Sequence, residues 1–158
     1  MKNHTIITEK MVFGGDCIGK IDGKTIFIPY AIPNEKLEVE ITKDAGDYYQ
    51  GKISKIIEAS PHRVKPFCPY YEKCGGCNMQ HISFEHQQEL RKNILKDAFE
   101  RDGINVPEIE IISGENKNYR SRFQFHTGGL MEKHSNNIIP IENCPCATNE
   151  INNYIEEV

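Results

Sequence analysis

CIGKIDGKTIFIP, residues Cys17 to Pro29, decides the fold. Two short runs, Cys17–Ile21 and Thr25–Pro29, flank Asp22-Gly23. A two-residue hairpin turn needs positive φ at its central positions, and Asp-Gly tolerates it well. The stretch therefore reads as two antiparallel strands. Further along, Leu37–Ile41 alternates apolar and polar side chains, as a half-buried strand does. Ala45-Gly46-Asp47 turns the chain into another strand, Tyr48–Ile57, and Ile6–Ile7 or Met11–Phe13 supplies one more. Roughly five short strands joined by tight turns predict a small closed barrel, which leaves no exposed edge. Ser60–Pro66, with Pro61 and Pro66, reads as a connector.

Beyond the connector the pattern changes. Ser83 suits a helix N-cap, Glu85 falls in the first turn, and Gly103 is a natural stop. Between them Leu90, Ile94 and Ala98, with Leu95 and Phe99 beside them, form an apolar stripe. Ile109–Ile112, Arg120–His126 and Ile138–Ile141 read as strands or short apolar runs. Ile151, Tyr154, Ile155 and Val158 recur at helical spacing. The fold class is thus mixed β and α+β: a five-stranded barrel over residues 1–66, then a small α+β segment over residues 67–158.

The chain has 158 residues, with 38% hydrophobic and 27% charged, a balance that favours folding over disorder. Its net charge of -4 announces no nucleic-acid partner by itself. The charge is uneven, however: residues 1–66 carry a net +1 and residues 67–158 a net -5. No apolar run reaches the length of a membrane span, and MKNHTIITEK lacks a signal peptide's apolar core. The expected compartment is the cytoplasm, where thiols stay reduced, so clustered cysteines point to metal or catalysis.

Such a cluster follows the connector. In CPYYEKCGGCNMQH, Cys68, Cys74 and Cys77 stand at spacing C-x5-C-x2-C, and Cys144-Pro145-Cys146 offers two candidates for a fourth ligand. Zinc takes four thiolates tetrahedrally, and an iron–sulfur cluster also takes four. The spacing alone leaves both open. Gly75 and Gly76 let the backbone approach a bulky inorganic core. Cys17, alone on a strand, reads as a small core residue.

The cysteine motif, continued by Gln80-His81 and by Gln87 in the following helix, resembles that of the bacterial RNA uracil-5 methyltransferases. Gly14–Gly19, Phe27–Glu35 and Ser60–Arg63 resemble those enzymes' TRAM domain, an OB-like barrel that binds RNA. Tyr119–Arg122 and Ile139–Pro145 resemble the start of their central domain. The resemblance implies a [4Fe–4S] cluster on Cys68, Cys74, Cys77 and Cys144. It implies S-adenosylmethionine as cofactor of the full-length enzyme, with ribosomal or transfer RNA as substrate. No Gly-rich strand-to-helix turn and no nucleophilic cysteine beside an acid is found here. The chain is therefore expected to be the N-terminal region of such an enzyme, inactive alone, with a separately encoded methyltransferase domain as one candidate partner. A zinc-stabilised RNA- or protein-binding adaptor is the alternative.

RNA needs cations for phosphate and aromatic faces for bases. Lys52, Lys55, Arg63 and Lys65 are the candidate cations of the barrel, and Tyr30, Tyr48 and Tyr49 its candidate stacking groups. Arg120 and Arg122, alternating on an expected strand, would share one face and want an anion.

Overall fold

In the computed structural model, which describes residues 3–126 and 128–157, Asp22 and Gly23 both take positive φ, 49° and 82°. The turn they make joins β3 (Cys17–Ile21) to β4 (Lys24–Ile28) in antiparallel register, with Ile18 opposite Phe27. Cys17, Ile26 and Ile28 point inward and are fully buried; Lys20 points out. The same alternation runs through β5 (Lys36–Asp44), where Leu37 and Val39 are fully buried. β6 (Tyr48–Glu58) pairs with β5, and three register shifts along that ladder add twist.

Two short strands complete the sheet, β1 (Asn3–Ile7) on β5 and β2 (Lys10–Met11) on β3. The sheet is thus six-stranded, in the order β1-β5-β6-β4-β3-β2, with β4 and β6 parallel. This corrects the expected closed barrel of five strands: β1 and β2 are edges without a ladder between them. The reason lies at Thr8. Its N–H donates to Glu35 O at 2.9 Å, its carbonyl accepts from Asn34 N at 2.8 Å, and its hydroxyl donates to Ile32 O at 2.5 Å. These bonds take the backbone out of the strand and split one segment into two.

The chain packs as two compact units. The first, Met1–Val64 with His81–Ile109, holds the sheet and α1 (Phe84–Arg101). Val64 N donates to His81 O and Ser83 N to His62 O, so the chain closes on itself across residues 65–80. The helix expected in the second region therefore packs with the first unit. Ser83 takes the N-cap position without a side-chain capping bond, and Gly103 follows the last turn at φ 76°. Leu90 is buried, but Leu95 and Phe99 are exposed, so the buried stripe is narrower than expected.

The second unit, Lys65–Gln80 with Glu110–Val158, holds a hairpin, β7 (Gly129–Met131) and β8 (Ile138–Pro140), and α2 (Asn149–Glu157). Ile109–Ile112 and Arg120–His126 form no strands, only single bridges at Arg120 with Ala147 and at His126 with Gly129. Ile151, Tyr154 and Ile155 lie on α2, which buries none of its described residues; Val158 lies outside the described residues. Among the described residues, no helix is long and apolar enough to cross a membrane.

Candidate functional site

Each cysteine of the motif has its own anchor in the second unit. Cys68 opens a turn in which its carbonyl accepts from Tyr71 N at 3.2 Å, while its N–H donates to Gln80 Oε1 at 3.2 Å. Cys74 bridges Glu132 beside the hairpin, flanked by Gly75 N donating to Met131 O at 3.1 Å. Cys144 is clamped by one side chain of α2: its N–H donates to Asn152 Oδ1 at 2.8 Å, and its carbonyl accepts from Asn152 Nδ2 at 3.1 Å. Neither Gly75 nor Gly76 is used for a left-handed turn. Gly76 provides space instead: a Cβ there would meet Cys74 Sγ at 3.4 Å and Arg120 Nη1 at 3.7 Å.

The four thiols Cys68, Cys74, Cys77 and Cys144 are partly exposed, and their charges act on one another. Burial pushes the Cys68 and Cys74 thiols up. Cys146 differs: it is buried, its Sγ lies 3.8 Å from Cys77 Sγ, and it accepts from Gln80 Nε2 at 3.6 Å. Hydrogen bonding from Cys146 pulls Cys77 down to about 7 and Cys144 down to about 6. The same two bonds push Cys146 up, which makes it the thiol that keeps its proton. Among the described residues, no three His, Cys, Asp or Glu side chains converge tightly enough to hold one metal ion. His81 is spoken for in the first unit, its Nε2 lying 3.1 Å from Ala31 O.

Of the two paired arginines, Arg120 is drawn to the thiols. Its N–H donates to Cys146 O at 2.8 Å, its Nη1 to Gly76 O at 3.3 Å, and its charge lowers Cys74, Cys77 and Cys144. Arg122 is exposed. With no strand between them, the shared face expected of the pair is not formed.

The barrel cations divide as well. Arg63 grips Glu35, Nε on Oε1 and Nη2 on Oε2, both at 2.6 Å, and Nη2 also donates to Tyr30 O at 2.9 Å. Glu35 is fully buried. Burial would raise its pKa, but Arg63 and the N–H groups of Ser60 and Ile32 outweigh this and lower it. The guanidinium expected to meet phosphate is thus occupied in the structure. Lys52, itself exposed, pairs across the strands with the largely buried Glu40 at 2.9 Å. Tyr49 carries the Lys24 ammonium over its ring at 3.9 Å, and Tyr30 meets His81 edge-on. Phe13, absent from the expected stacking set, is 93% exposed. Phe13 was expected within a strand over Met11–Phe13, but the strand ends at Met11 and Phe13 lies in the loop that follows.

With this geometry in hand, known proteins give it a setting. The TRAM domain family matches residues 5–53. An uncharacterized RNA methyltransferase of Treponema denticola is 39% identical over 99% of this chain and 44% of its own length. A second, from Aquifex aeolicus, is 36% identical over 97% of this chain and 38% of its own length. A 23S rRNA (uracil(1939)-C(5))-methyltransferase of Shewanella amazonensis is 36% identical over 78% of this chain and 28% of its own. The crystal structure of Pyrococcus abyssi tRNA (uracil-54, C5)-methyltransferase with S-adenosyl-L-homocysteine shares the fold, with a TM-score of 0.65 at 23% identity, over 97% of this chain and 35% of that one. The chain spans less than half the length of these relatives. Residues 5–53 thus match the TRAM domain family, in a chain similar along its length to RNA methyltransferases.

Proposed function

We propose that these residues form the RNA-recognition and cluster-binding part of an RNA uracil-5 methyltransferase. In this reading Cys68, Cys74, Cys77 and Cys144 hold a [4Fe–4S] cluster, one thiolate to each iron. The observation that carries it is the thinness of the second unit's apolar core. Among the described residues, only Tyr71, Met79, Cys146 and Ala147 are buried apolar groups there. A unit so poor in apolar burial needs a staple, and a metal group supplies folding energy directly. The four thiols act on one another electrostatically, so they lie in one region of the unit. The cluster would supply a cross-link between residues 68–77 and Cys144. Arg120 would balance its negative charge, and Cys146 would donate a hydrogen bond to the ligating sulfurs.

Methyl transfer is assigned elsewhere in such an enzyme. Among the described residues, neither α1 nor α2 follows a Gly-rich turn out of a strand. RNA is held by local cations, and Lys52, Lys55, Lys65, Arg120 and Arg122 of the expected set are exposed.

The test is RNA binding across salt, followed by a methyl-transfer assay with labelled S-adenosylmethionine. Binding near non-specific strength is expected, on the order of 10⁻⁴ to 10⁻⁶ M at physiological salt, falling as salt rises, with no transfer. Tight, salt-independent binding would contradict the electrostatic account; methyl transfer would contradict the division of labour.

A further inference from the structure

Cys146 is the cysteine of the second unit that the proposed ligand set leaves over. It is 3% exposed, whereas Cys77 is partly exposed. Their Sγ atoms lie 3.8 Å apart, although the residues are 69 positions apart in sequence. A disulfide needs about 2.05 Å, so the sulfurs stand roughly 1.8 Å short of a bond. The buried thiol is held in that place. Gln80, itself buried, donates from Nε2 to Cys146 Sγ at 3.6 Å and accepts on Oε1 from Cys68 N at 3.2 Å. Cys146 O accepts from Arg120 N at 2.8 Å, and Pro145 O accepts from Asn118 N at 3.1 Å.

Cys144 also hydrogen-bonds Cys146. It is the poorer partner for a covalent bond. Its N–H and carbonyl are both clamped by Asn152, and Pro145 fixes the backbone between the two cysteines. A Cys144–Cys146 bond would have to bend this held tripeptide into a small ring. Cys77 comes from a distant segment and needs no such closure.

We propose that Cys77 and Cys146 are a peroxide-responsive dithiol that forms a reversible disulfide when the chain carries no metal. Cys77, the more exposed of the two, attacks a peroxide oxygen through its sulfur. The O–O bond breaks, the leaving hydroxide takes the thiol proton as water, and Cys77 becomes a sulfenic acid. The Cys146 sulfur then attacks the Cys77 sulfur. The S–O bond breaks, and hydroxide leaves with the Cys146 proton as a second water. Each sulfur gives up one electron and the peroxide takes two. A sulfenic acid without such a neighbour goes on to sulfinic acid, which thiols do not reverse. The disulfide therefore spares Cys77 and withdraws it from the ligand set until a thiol reductant reopens the bond. That effect on metal loading rests on the metal reading above; the bond itself does not.

The experiment uses the full chain, stripped of metal by a chelator under dithiothreitol, freed of both, and treated anaerobically with a small molar excess of hydrogen peroxide. Remaining thiols are alkylated with N-ethylmaleimide, and peptides are mapped without reduction. The oxidised chain should lose two hydrogens and carry a Cys77–Cys146 cross-link that dithiothreitol removes. In Cys146→Ser that cross-link is gone, and sulfinic acid at Cys77 should rise severalfold. Iron and sulfide supplied afterwards should be taken up by untreated and by re-reduced wild type, and refused by the oxidised chain. A Cys144–Cys146 cross-link as main product, or cross-links spread over Cys68, Cys74 and Cys144, would overturn the pairing. The wild-type map decides this whether or not the variant folds. Sulfinic acid at Cys77 in wild type as abundant as in Cys146→Ser would overturn the protective role. If the cross-link forms but the reduced chain takes up neither iron nor zinc, the metal reading falls and the block on loading with it, while the dithiol stands.

Discussion

Cys144 and Cys146 are separated by one proline, yet they stand in different surroundings. Cys144 is partly exposed with its backbone clamped by Asn152, whereas Cys146 is buried against Cys77 and Gln80. A ligand lost from an iron–sulfur site bleaches it; a hydrogen-bond donor lost beside it only tunes it. Cys144→Ser should therefore abolish the brown chromophore of anaerobically purified protein, and Cys146→Ser should keep it, as absorbance spectra of the two variants will show. The reverse pattern would move the fourth ligand to Cys146. The two arginines separate in the same way. Arg120→Ala should make the chromophore more labile, whereas Arg122→Ala should leave it intact and weaken RNA binding. The cysteine spacing was legible because it is written in the sequence itself. The split between Arg120 and Arg122 was not, since alternation implies a shared face only where a strand forms. Here the Arg120 N–H and carbonyl are taken by Cys146 and Thr148.

Among the elements, the hairpin β3–β4 was the most legible, because its signal is local: an Asp-Gly turn between two alternating runs. Ile109–Ile112 was illegible for the opposite reason. Apolar content marks a strand only if a neighbour pairs with it, and Ile112 is fully exposed. The turn before β5 depends on a pair far apart in the chain. Glu35 reads as a polar loop residue in sequence, yet it is buried and bound by Arg63. Removing one partner of a buried pair leaves a charge without compensation. Arg63→Ala should destabilise the first unit by about 3–5 kcal/mol, measured by urea unfolding. The pH dependence has a definite sign. Because the folded pKa of Glu35 is lowered from 4.5, its contribution is present above about 4.5 and lost as pH falls through the depressed folded value. Wild-type stability should fall in that acid window, and the Glu35→Gln variant should show a shallower fall there.

At the scale of the whole molecule, the two units are stabilised differently. The first buries Ile26, Ile28, Ile32, Leu37 and Val39 completely beneath a six-stranded sheet. The second has little apolar burial and four cysteines of the motif. If the proposed cluster carries the second unit, chelation should abolish amide-exchange protection in residues 65–80 and 110–157 while leaving residues 3–64 and 81–109 protected. Uniform loss in both, or in neither, would mean that metal does not carry the second unit. The identity of the proposed metal group is tested most directly by iron, acid-labile sulfide and zinc per chain after anaerobic purification. A [4Fe–4S] cluster gives about four irons and about four sulfides per chain and no stoichiometric zinc. About one zinc per chain in colourless protein, with neither iron nor sulfide, would contradict it.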